Sequence, residues 1–324
     1  MADYKGIKGF KVQSLASDPS NAVEGQVWYN TTTSVLKYTA LVTAWTTVNS
    51  LNTARDEVGG AGSQTAALAI GGSPGPGLFG AIVESYDGTT WTEVNDLDDA
   101  SAGVQGCGTQ TAALRVGGDG GPTGSYKDWV EEFDGTSWAA GGALATARGS
   151  VACMGIQTAA AGAGGYSPGY SNAVESYDGS TWSSGTNYPV AMAAAGGAGT
   201  ATAGIVIGGS PGNPTTANTY DGSTWTSAGA LNTGRTYVVM SGATVPAAMV
   251  SGGRSPGRIA NCEQYDGSAW TEVGDLNTAR SSGASNMSTA TQTAALVAAG
   301  STGTRTNACE EFGPGTVSKT VTTS

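Results

Sequence analysis

The chain has 324 residues, 52 of them glycine, with a formal net charge of −11 and no histidine. The negative balance excludes nucleic-acid binding through the phosphate backbone, which needs a basic face. Lack of histidine removes the commonest general base and metal ligand.

Residues 1–24 ("MADYKGIKGFKVQSLASDPSNAVE") have no apolar run of the kind that marks a signal peptide, and read as an arm and linker. No apolar stretch anywhere approaches a membrane span, so no membrane insertion is expected. Residues 25–44 contain "GQVWYNTTTSVLKY", which reads as a hairpin. Its apolar alternation runs through Val27, Tyr29, Val35 and Leu36 around a Thr-rich turn.

From residue 45 the chain repeats itself. The aromatic that opens "YDG" or its relative recurs at Tyr86, Phe133, Tyr177, Tyr220, Tyr265 and Phe312, in steps of 47, 44, 43, 45 and 47 residues. A tryptophan falls at Trp45, Trp91, Trp138, Trp182, Trp225 and Trp270, and six residues after each comes Leu or Tyr. Each period holds four short strand candidates: a small-residue run, "TAALAIGG", "VESYDG" and "TWTEVNDL". Such a period signals a repeat architecture, and four antiparallel strands per repeat make one blade of a propeller. Asp-Gly suits the turn between the third and fourth strands. Gly-Gly ends the second, where a side chain would obstruct the neighbouring blade. The large rings fill the widening gap between blades. Burying one indole removes about 200 Å² from water, on the order of 5 kcal/mol as an upper bound.

Double glycine, then tyrosine, then tryptophan at this spacing resembles the Kelch repeat over residues 45–312. The resemblance implies an all-β, six-bladed Kelch-like β-propeller over 45–324, with a short N-terminal arm and hairpin. Seven blades follow if residues 26–39 build part of another. The last unit weakens Gly-Gly to Ala299-Gly300 and has no tryptophan after Phe312. "AWTTVNSL", with Trp45, is therefore expected to supply the outer strand of the last blade; "TVSKTVTTS" at the C-terminus competes for that place.

The hairpin segment and units such as "YDGTTWTEVNDLDDA" also resemble virion structural proteins of marine tailed bacteriophages. This implies a non-enzymatic adhesion or decoration module, present in multiple copies on a virion assembled in the host cytoplasm. The arm would bind other virion proteins, and the opposite face a host surface protein or glycan. A cellular Kelch adaptor and a glycan-cleaving propeller are the rival readings. A convergent carboxylate pair in a deep central pocket would favour the latter.

Arg55, Arg148, Arg235 and Arg280 each stand ten residues after a blade tryptophan, with Ser101 and Met192 in the other two units. They read as ion-pair partners of Glu84, Glu131, Glu175, Glu263 and Glu310, which recur as regularly. An anion site is the sharper alternative. Asp96, Asp98 and Asp99 read as a solvated loop. Cys107, Cys153, Cys262 and Cys309 show no CxxC spacing and read as small buried thiols of a reducing cytoplasm. No catalytic residue, metal or cofactor is expected. The loops between second and third strands break the repeat. They hold Phe79, Tyr126, Trp129, Tyr166, Tyr170, Arg254 and Arg258, the expected binding residues, because variable loops on a rigid scaffold carry recognition.

Overall fold

The protein is described by a computed structural model covering residues 12–20, 26–120, 125–285 and 292–321. Most of the expected arm, residues 1–11 and 21–24, lies outside the described residues. Two compact units emerge: residues 1–44 with 313–324, and residues 45–312.

In the first unit Gln13–Leu15 pairs in parallel with Val27–Asn30, which pairs antiparallel with the start of Val35–Val48. The expected hairpin is present, but its buried face differs. Trp28 and Asn30 are buried, while Tyr29 points outward. The cause is Asp18, which accepts hydrogen bonds from Trp28 Nε1 (3.2 Å), Asn30 Nδ2 (2.8 Å) and Lys37 Nζ (2.7 Å). A polar anchor thus buries the face of Trp28 and Asn30, opposite the one that alternation alone assigns to Val27 and Tyr29.

The second unit is a propeller-like all-β fold. Five four-stranded antiparallel sheets follow in chain order, each built as the repeat reading requires. The first contains Gly59–Ser63, Ala66–Ile70, Val83–Tyr86 and Trp91–Val94. In the last repeat, the strand Val35–Val48, which carries Trp45, lies beside Cys309–Thr320; Ala295–Ala298 and Ala284–Ser285 follow. The innermost strands touch in sequence: Gly59–Ser63, Gln105–Thr109, Ala152–Ile156, Gly196–Thr200, Val239–Ser241, Ala284–Ser285, and again Gly59–Ser63.

The cross-strand partner of each tyrosine or phenylalanine is the tryptophan of the next strand, so register stacks the rings. Centroid separations run from 4.5 Å for Tyr220 and Trp225 to 5.1 Å for Tyr265 and Trp270. Trp45 meets Phe312 at 5.3 Å, completing the set. Apolar clusters lie between neighbouring sheets. One joins Tyr86 and Trp91 of the first sheet to Leu296, Ala298 and Cys309 of the last repeat. Trp45, Trp91, Trp138 and Trp270 are buried, but Trp182 and Trp225 are only half-buried, so the expectation of six fully buried indoles is corrected at these two. Gly71 and Gly72 have φ of 58° and 99°. A Cβ on Gly71 would stand 2.9 Å from the carbonyl of Ser101 in the next repeat, the close approach that the motif implies. All four cysteines are free and buried.

Candidate functional site

The recurring arginines do not line an anion site. Arg55 reaches Glu84 at 3.0 Å, Arg148 reaches Glu175 at 2.7 Å and Arg280 reaches Glu310 at 2.5 Å; Arg235 pairs with Glu263. These pairs are buried. The same carboxylates accept backbone amides of the connecting segment, as Glu84 does from Asn52 (2.7 Å). Each pair therefore fastens the connection from one sheet onto the next. Where Ser101 replaces arginine, Arg115 on the second strand approaches Glu131 at 3.8 Å and also donates to Ser101. Where Met192 replaces it, the carboxylate is gone too: Asn218 stands there and donates to Tyr188 Oη at 2.8 Å.

Two residues after each of these positions the backbone turns left-handed. Glu57, Gly103, Ser150, Ala194, Tyr237 and Ser282 all have φ between 52° and 60°. Five are not glycine, although this region disfavours side chains. The reason is hydrogen bonding. Glu57 N donates to Ser282 O (2.9 Å), Ser282 N to Tyr237 O (3.0 Å) and Tyr237 N to Ala194 O (2.8 Å). Ala194 N donates to Ser150 O (3.0 Å), Ser150 N to Gly103 O (2.8 Å) and Gly103 N back to Glu57 O (3.1 Å). Six peptide groups from six repeats form one closed circuit.

Five of the six circuit residues, all but Ser282, line a cavity of about 340 Å³. Its walls include Glu57, Asp119, Tyr126, Tyr166, Tyr170 and Tyr237. A second space, of about 30 Å³, is lined by all six circuit residues together with Val58, Val104 and Val238. That is room for about one water molecule. Tyr126 meets Tyr166 edge-on at 5.5 Å and 63°, and Tyr166 meets Tyr170 at 5.2 Å and 80°. The surrounding cavity walls, with Asp56 and Asp119 nearby, raise the proton affinity of Glu57 even though its side chain stays open to solvent; partial burial does the same to Asp119. Burial and the adjacent carboxylates also push the Tyr126 and Tyr237 phenols up.

Three residues expected from the variable loops, Tyr126, Tyr166 and Tyr170, therefore meet in one cavity. Arg254 lies beside it, its guanidinium 4.8 Å from the Tyr237 ring centroid. The other three lie elsewhere. Trp129 lines a separate cavity of about 120 Å³ with Asp98, Asp99 and Glu131, and its ring takes Lys127 Nζ at 4.6 Å. Arg258 donates to Ser301 Oγ at 2.8 Å. Phe79 is half-buried in its own loop and lines neither cavity. Sequence reasoning missed Glu57, Asp119 and Tyr237. The signal for two of them was present: the position two after the arginine reads Glu, Gly, Ser, Ala, Tyr, Ser where its surroundings repeat. Among the described residues no group of three His, Cys, Asp or Glu is placed to hold a metal ion.

No family model matches the sequence, and no curated protein does. Among solved structures, that of YjhT is similar, with a TM-score of 0.65 at 13% identity, over 84% of this chain and 99% of that one. At such identity the likeness concerns the fold alone.

Proposed function

We propose that the protein is a non-enzymatic binding module of a phage virion, a six-bladed Kelch-like propeller serving adhesion or decoration. The blade count is supported by the six-membered backbone circuit and the cyclic order of inner strands. The observation that carries the binding role is the convergence of Tyr126, Tyr166 and Tyr170 on one 340 Å³ cavity. These side chains come from the segments that depart from the repeat, and aromatic side chains dominate recognition surfaces. A tyrosine-walled cavity suits holding a ligand on the host surface. The virion role itself follows from the resemblance of the hairpin and repeat units. Its test is direct: gold-labelled antibody against the protein should decorate purified particles and the labelled protein should adsorb to host cells. Unlabelled particles would overturn the location. Undiminished adsorption by the Tyr126→Ala, Tyr170→Ala double variant would overturn the binding face.

A glycan-cleaving reading is favoured by one observation, two carboxylates lining one cavity whose walls raise their proton affinity. Hydrolysis needs one carboxyl group protonated and one ionised. Release of reducing sugar from a host polysaccharide, abolished in Glu57→Gln, would establish it.

A further inference from the structure

We infer that the central cavity is an aromatic box for a quaternary ammonium group, walled by Tyr126, Tyr166, Tyr170 and Tyr237 and made anionic by Glu57 and Asp119. The inference rests on the reading of this face as the binding face and gives its ligand a chemical class.

Three features of the cavity point the same way. The first is ring geometry. Successive tyrosines meet at 63° and 80°, so they form a corner rather than a single flat platform. A sugar face stacks on one ring, whereas a compact methylated cation contacts several ring faces at once. The second is charge. Around the cavity Asp56, Glu57 and Asp119 stand with Arg305 and Arg254, and Arg305 is held by Asp56 at 3.0 Å. Three carboxylates with two guanidinium groups leave one negative charge, matched by a monocation. Asp119 Oδ1 is buried without a hydrogen-bond partner among the described residues. A carboxylate oxygen withdrawn from water without a partner is costly even in a half-exposed residue, and a bound cation offsets that cost. The third is precedent within the chain: the Arg254 guanidinium already sits over Tyr237. The cavity's 340 Å³ accommodates a headgroup of choline or phosphocholine size, at the small end of ligand sites.

The ammonium group could arrive as a free small molecule or on a choline-headed lipid. Calorimetric titration of the full chain with choline chloride, 3,3-dimethylbutan-1-ol and phosphatidylcholine vesicles separates these. The alcohol has choline's shape without its charge. Choline is expected to bind at least tenfold more tightly than the alcohol. Asp119→Asn, which keeps the shape, and Tyr166→Leu should each weaken choline at least fivefold, while Trp129→Ala, in the other cavity, should not. Binding of choline alone identifies a small-molecule source, and binding of the vesicles as well identifies a lipid surface; either supports the class. Equal affinity for the neutral alcohol, or heat from neither choline nor vesicles with a correctly melting protein, overturns it. Host-cell adsorption lost in the Tyr126, Tyr170 double variant but unaffected by excess choline would sink the ammonium inference and leave the binding face standing.

Discussion

Arg115 donates a hydrogen bond to Ser101, and through that contact a guanidinium reaches the place that Arg55 fills in the preceding repeat. The two positions have exchanged their contents: arginine on the connection faces Ala69 on the strand in one repeat, and serine faces Arg115 in the next. The buried carboxylate, Glu84 or Glu131, is common to both.

Arg115→Ala should destabilise the protein by about 3 kcal/mol, because Glu131 is left buried without its cation. Adding Ser101→Arg should recover most of that loss by recreating the Arg55 arrangement. Urea unfolding midpoints of the single and double variants measure both. An additive double variant would show that the two sites do not share one pocket.

The indoles should differ in energetic weight. Trp270, 6% exposed and inside an intersheet cluster, should cost about 3–5 kcal/mol on replacement by alanine. Trp182, half-buried, should cost clearly less under the same denaturant titration.

The left-handed circuit stores strain that glycine would relieve. Ser150, at φ 54°, corresponds to Gly103 in the neighbouring repeat. Ser150→Gly should raise the thermal midpoint, by an amount reflecting about 1 kcal/mol, whereas Ser150→Val should lower it, since a β-branched side chain is poorly tolerated there. A lower midpoint for the glycine variant would show that the serine side chain supplies more than the strain removes.

Glu57 gives a dependence on pH. Its proton affinity in the folded protein is raised above the ordinary 4.5, chiefly by the desolvating cavity walls around a side chain that still meets solvent, and then by Asp56 and Asp119. The folded state therefore binds the proton more tightly than the unfolded chain. The resulting stability is fully present below pH 4.5 and is lost as pH rises through the raised value. Asp119 acts in the same sense. Glu57→Gln should flatten this fall, so the variant gains on the parent protein as pH rises above 4.5, as read from unfolding midpoints across a pH series.

Much of the architecture was legible because it is written many times. One tyrosine and one tryptophan say little, but the same pair at a constant offset in successive repeats defines a strand register, and the structure places the rings face to face or tilted against each other accordingly. The arginine and glutamate recurrences named their own partnership in the same way. The half-burial of Trp182 and Trp225 was not legible, since identical motifs acquire different neighbours. Nor was the face of the hairpin, which Asp18 decides from ten or more residues away.

By itself the sequence determined the repeating strand unit, the stacked rings and the buried ion pairs, because these depend on local spacing and on copies of one pattern. Tertiary structure alone decided the site. Glu57, Asp119, Tyr126, Tyr166, Tyr170 and Tyr237 are spread over 180 positions, and each occupies a place where its own repeat departs from the others. Nothing in their spacing links them. They meet because the inner strands follow one another in a circle, which carries the start of each inner strand to the same point. That circle is a property of how sheets pack on one another, and no single stretch of chain encodes it.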